Sequence, residues 1–203
     1  MLSPPAREET PLPTRIDSVV IGASAGAIEA LGELLPLLPR GTPWPVVVVV
    51  HMPPGKPSLL VPIFARKCAL PVREPEDKQS IKPGIWFAPP DYHLLIEGDR
   101  TFALSIDPLV NYSRPSIDVL FESAADAYGP ALVSIVLTGA NEDGAKGARA
   151  VRDAGGFVIV QEPTTAEAPR MPQAAIDRAS PQRVANVAEI GRALRDAAAG
   201  SPP

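Results

Sequence analysis

The chain has 203 residues, 26 of them proline and 15 glycine, with 45% hydrophobic residues, one cysteine, two histidines and a formal charge of −4. That length fits one domain with a full core, and the recurring apolar β-branched runs exclude collagen and general disorder. One cysteine excludes a disulfide framework and a cysteine-rich zinc site, the acidic balance argues against a nucleic-acid partner, and any mechanism that needs an imidazole must use His51 or His93.

Residues 1–14 are proline-rich and lack the apolar region of a secretory signal, so they are expected to form a disordered tail. The β-branched run at 16–21 reads as a strand ending at Gly22, and Ile28, Leu31, Leu34, Leu35 and Leu38 then follow at helical spacing. Residues 45–50 (PVVVVV) form a continuous apolar run, the mark of a strand covered on both faces. This run is far shorter than the roughly 20 residues of a membrane-spanning helix, and a soluble cytoplasmic protein is expected. A helix is predicted over 58–69 and an extended piece from Val72. Residues 85–104 read as short strands (IWFAP, YHLLIE, TFALS) separated by turns, an antiparallel insertion or edge ribbon.

After Pro115 the alternation resumes. Ile117, Leu120, Phe121 and Ala124 share a helical face with Ser116 as its expected cap, followed by a strand at 131–137, a helix at 144–154 and a strand at 157–161. The expected fold is α/β: one three-layer α/β/α domain over 15–198, a mostly parallel doubly wound sheet with a short antiparallel ribbon. A disordered tail is expected over 199–203.

Ligands of such sheets bind beyond the carboxyl ends of the strands. Three loops there carry a hydroxyl, an imidazole and a carboxylate: 22–27 (GASAGA), 51–55 (HMPPG) and 138–145 (TGANEDGA). Ser24 lies in a G-x-S-x-G pattern between a strand and a helix, the setting of a nucleophile elbow. His51 is the base at the same sheet edge, and Asp143 the acceptor of the other imidazole N–H. Each has a plainer alternative. The glycine-rich turn also approximates a dinucleotide cradle, His51 can serve as a strand-end hydrogen-bond partner, and Asp143 precedes a helix where an N-cap is the default. His93 begins a strand of the ribbon and is assigned a structural or rim role. Cys68, beside Ala65 and Ala69, reads as a small buried hydrophobe.

The blocks VVIGASAGAIEAL, VVVVVHMPPG, PGIWFAPPDYHLLIE, RPSIDVLFESAADAYG, VLTGANEDGAKGARAVRDAGGFVIVQEPTT and MPQAAID resemble, in that order, the catalytic domain of the CheB-type chemotaxis protein-glutamate methylesterases, over about residues 16 to 191. The resemblance implies a serine hydrolase that removes γ-methyl esters from glutamates on chemoreceptor helices, often with deamidation of receptor glutamines. It implies Ser24, His51 and Asp143 as the triad, and no cofactor or metal. Backbone N–H groups near Ser24, at Ala25, and at Ala140 are expected to hold the oxyanion. Met171, of the MP pair, is expected to line the mouth of the site. Arg114 is read either as a contact for an acidic receptor surface or as an anchor of its own loop.

Ala25 and Ala27 depart from the family's GASTGG, and Ala140 and Asn141 from its TGMGxDG. The fifteen residues before the first strand are too few for the family's receiver domain, so the expectation is a stand-alone enzyme, constitutive or controlled by a separate receiver or histidine-kinase protein. The alternatives are a non-catalytic module docking on receptors or kinases, and a nucleotide-binding oxidoreductase reading of GASAGA. No acidic residue ends the second strand for the latter.

Overall fold

The structure is a computed structural model that describes residues 10–52, 55 and 58–200. Seven strands form one parallel sheet: β1 (Ser18–Ala23), β2 (Pro45–Val50), β3 (Val72–Arg73), β4 (Gly84–Phe87), β7 (Leu132–Val136), β8 (Phe157–Gln161) and β9 (Arg183–Ala185). β5 (His93–Ile96) and β6 (Phe102–Ser105) make a separate antiparallel pair. Among the described residues six α-helices cover the sheet: α1 (Ala27–Leu34), α2 (Leu60–Ala65), α3 (Ile117–Tyr128), α4 (Ala145–Asp153), α5 (Arg170–Ala179) and α6 (Val187–Gly200).

Strand residues alternate between two apolar cores, as a pleat of period two requires. Val19, Ile21, Val46 and Val48 face one layer with α1, α2 and α6; Val20, Val47 and Val49 face the other with α3, α4, α5 and the ribbon. Every residue of β1 and β2 is buried, which is why their sequences read as unbroken apolar runs.

The strand order is β3-β4-β2-β1-β7-β8-β9. From β1 the chain builds outward on one side and returns to β7 on the other, so the order reverses between β1 and β7. Helix α1, after β1, and helix α4, after β7, lie on opposite faces, opening a crevice at the carboxyl ends of these two strands. Gly22 lies beneath it, and a Cβ there would collide with Ile117 at the start of α3.

Three expectations are corrected. IWFAP is not part of the ribbon: Gly84–Phe87 pairs in parallel with β2, with Ile85 and Phe87 in one core and Trp86 in the other. A short apolar run between turns suits a parallel strand as well as a hairpin arm, and burial on both faces selects the former. The lead-in is ordered in part, because Leu12 packs on the core, while residues 1–9 lie outside the described residues. The domain also runs beyond 198, since α6 continues to Gly200 with Ala198 buried; the expected tail at 201–203 lies outside the described residues. Among the described residues, no helix is long and apolar enough to cross a membrane.

Candidate active site

The parallel register sets Ala23 opposite Val50, so Ser24 and His51 leave their strands side by side. Adjacent strands lie about 4.8 Å apart, which brings the two residues together without any help from the loops. The His51 N–H donates to Ala23 O at 3.2 Å, and the Ser24 N–H to Thr138 O at 2.9 Å. Thr138 holds the serine turn from a second direction, its hydroxyl donating to Ala25 O at 2.8 Å and accepting from the Ala168 N–H at 2.9 Å. Gly26, at φ 78°, turns the chain into α1. A Cβ on Gly26 would lie 2.8 Å from the Glu167 Cβ, so the space over the turn is filled and leaves no open cradle for a dinucleotide.

His51 Nε2 lies 2.8 Å from Asp143 Oδ2. With Nε2–H donated to the carboxylate, Nδ1 carries the ring's lone pair. Among the described residues the Ser24 hydroxyl makes no hydrogen bond, and neither do the backbone N–H groups of Ala25 and Ala140. Backbone N–H groups without partners are the chemistry that an oxyanion hole requires.

Asp143 is fully buried and accepts four further hydrogen bonds: from Asn111 Nδ2 (2.8 Å), Ser116 Oγ (2.8 Å), Ile117 N–H (2.7 Å) and Asp118 N–H (3.1 Å). Although it lies next to Gly144, the N-cap of α4, it caps α3. Burial works to raise its pKa, but the hydrogen bonds from His51, Asn111 and Ile117 outweigh that, and its carboxyl is held below the ordinary carboxylate value. Asp118, in the first turn of α3, returns the arrangement: its Oδ1 accepts from Gly144 N–H (2.9 Å) and Gly147 N–H (2.7 Å) at the start of α4. Burial is the main cause that raises the Asp118 pKa, and the charge of Asp143 adds to it. One amide, Asn111 Nδ2, donates to both carboxylates at 2.8 Å.

Ser116 therefore holds Asp143 instead of capping α3. His93 is buried and spent elsewhere, with Nε2 on Pro108 O (3.1 Å) and Nδ1 accepting the Ser116 N–H (3.2 Å). Met171 is fully buried beneath Gly139, where an added Cβ would lie 2.5 Å from its sulfur, so it forms the floor of the 138–141 turn and not a mouth. Arg114 anchors its own loop, Nη1 donating to Ile106 O (2.7 Å) and Asp107 O (3.0 Å). Asn111, Asp118, Thr138 and Gln161, whose Oε1 accepts the Thr138 N–H, have no sequence signal that reveals these roles.

A cavity of about 180 Å³ lies beside the dyad, walled by His51, Met52, Leu109, Tyr112 and Arg114. A larger one, about 600 Å³, lies between the 12–16 segment and α6, at residues that enter β1 and β9 and away from these groups. Cys68 is half-buried, and burial pushes its thiol up to about 11. Its alkylation by iodoacetamide at pH 8 is therefore expected to be more than tenfold slower than that of a free cysteine; an ordinary rate, followed by mass spectrometry, would show the thiol to be unshielded.

Residues 19–194 match the family model described as CheB methylesterase. A Leptospira interrogans protein named putative protein-glutamate methylesterase/protein-glutamine glutaminase is 44% identical over 175 residues, covering 86% of this chain and 91% of that one. A Trichodesmium erythraeum protein of the same name without "putative" is 39% identical over 74% of this chain, which spans 44% of its length. The crystal structure of the Thermotoga maritima CheB methylesterase catalytic domain superposes with a TM-score of 0.85 at 34% identity, covering 89% of this chain and 98% of that domain.

Proposed function

Since the chain belongs to the CheB methylesterase family, we propose that Ser24, His51 and Asp143 hydrolyse glutamate γ-methyl esters on chemoreceptors. The observation that carries the assignment is the 2.8 Å bond between His51 and a fully buried Asp143, formed beside Ser24 at the end of the adjacent strand.

Ser24 Oγ attacks the γ-carbonyl carbon while His51 Nδ1 takes its proton. Nε2–H stays on Asp143, whose negative charge stabilises the imidazolium and fixes the tautomer. The charge that develops on the carbonyl oxygen is held by the Ala25 and Ala140 N–H groups, with the N-terminus of α1 nearby. The tetrahedral intermediate collapses, the C–O bond to methoxide breaks, and His51 returns the proton so that methanol leaves. Water then attacks the acyl-enzyme by the same route, releasing glutamate and Ser24. The Ser24 hydroxyl, which makes no hydrogen bond among the described residues, suits this course, because catalytic hydrogen bonds often tighten only with substrate bound.

The double name of the relatives supports a second substrate for the same acyl-enzyme, a receptor glutamine whose side-chain nitrogen takes the proton from His51 and leaves as ammonia. The direct test is methanol and ammonia release from a methylated receptor cytoplasmic domain. Methanol release by the wild-type protein is expected, and its absence would favour a docking module on the same fold.

A further inference from the structure

The segment from Ile106 to Tyr112 carries apolar side chains that the fold does not use. Ile106 is 72% exposed, Leu109 58% and Tyr112 98%, whereas the two cores bury nearly all comparable residues. Scattered surface apolar residues are ordinary, but three on one short segment form a patch.

This patch is held rigidly. Arg114 Nη1 bonds the Ile106 and Asp107 carbonyls, His93 bonds the Pro108 carbonyl, and Asn111 is fixed between two buried aspartates. Val110 and Ser113 close a tight turn through mutual backbone bonds, with Asn111 at φ 49° and Tyr112 at φ 61° as its central residues. Asparagine is at home there; tyrosine is not. Its side chain contributes nothing to the turn or to either core, and it stands out from a fixed base.

The patch also reaches the cavity beside His51, because Leu109 and Tyr112 form part of the wall that includes His51. His51 follows β2 next to Ser24 at the end of β1, so a protein surface that presents an ester to Ser24 comes close to this wall. Exposed aromatic and aliphatic side chains on a fixed backbone are what such a contact needs, since little backbone freedom is lost on binding.

We propose that Ile106, Leu109 and Tyr112 form the ledge on which the receptor helix bearing the methylated glutamate docks. The inference rests on the esterase reading, and it assigns substrate recognition to residues outside the triad. Tyr112 packs along the helix next to the ester, and Ile106 extends the contact away from the cavity.

The test compares two substrates of the same enzyme: a methylated receptor cytoplasmic domain and a small glutamate γ-methyl ester. For Tyr112→Ser, the ratio of kcat/KM on the receptor to kcat/KM on the small ester is expected to fall about tenfold. Ile106→Ser should lower kcat/KM on the receptor about threefold and leave the small ester unchanged. Equal losses on both substrates, or no loss on the receptor, would overturn the ledge. So would sedimentation showing a wild-type dimer that Tyr112→Ser dissociates, because the occupant would then be a second copy of the chain. A wild-type protein that hydrolyses neither substrate would instead remove the esterase reading itself, an outcome distinct from any of these.

Discussion

Ser24→Ala is expected to lower kcat for methanol release by about 10⁶-fold, His51→Ala by nearly as much, and the double variant by no more than either single one. In the proposed mechanism hydroxyl and imidazole act as one unit. Without His51 Nδ1 the serine is a weak nucleophile at neutral pH, and without Ser24 the imidazole has no attacking oxygen to deprotonate. The backbone N–H groups of Ala25 and Ala140 survive both changes, so a residual rate above that of water should remain. Ser24→Ala removes no core contact and should unfold near the wild-type temperature, whereas His51→Ala takes a hydrogen bond from the buried Asp143 carboxylate and should unfold lower. Steady-state assays of the three variants check this. A Ser24→Ala protein within tenfold of wild type, or single losses that multiply in the double variant, would remove Ser24 and His51 from their roles.

Asp143→Asn is expected to cost about 10⁴-fold in kcat and to destabilise the fold as well. The amide nitrogen replaces one carboxylate oxygen that now accepts from either His51 and Ile117 or Asn111, Ser116 and Asp118, so a donor faces donors whichever way the amide is turned. His51 loses the partner that fixes its tautomer. The stability loss has a defined pH dependence. Asp143's folded pKa lies below its unfolded value of about 3.9, so its ionised form contributes stability that is present above that value and lost as pH falls through the folded pKa. Asp118 has the opposite sign: its raised pKa makes its charge a cost that is relieved on acidification. Urea midpoints of wild type and Asp143→Asn should therefore differ most at neutral pH and converge below about pH 4. A gap that stays constant from pH 7 to pH 3 would show that the carboxylate's charge is not what stabilises the fold.

Much of this arrangement is written locally. The run at Pro45–Val50 and the alternation of strands and helices give the parallel sheet, and a parallel sheet places Ser24, His51 and the 138–145 loop at one edge before any side chain is considered. The strand at Gly84–Phe87 is not legible as a parallel one, because a four-residue apolar run carries no information about its partner. The role of Asp143 was half legible. Its position before α4 suggests a cap, but the helix it caps is 26 residues earlier in the chain, and sequence spacing has no term for that distance. Asn111 reads as a turn residue and Asp118 as an ordinary acidic residue in a first helical turn. Met171 fits a family pattern, but sequence gives no sign that a glycine backbone lies over it.

The exchange of caps between α3 and α4 bears on how the enzyme comes into being. Each helix is begun by an aspartate that the other helix's neighbourhood supplies, so neither is properly started until both are seated on the sheet. The same docking event brings Asp143 to His51. A chain in which one of these helices has detached would lose the partner of its proposed base along with its packing, and local opening there would slow the chemistry before it unravelled the core. With the proposed triad, full catalytic competence is thus tied to the completion of folding.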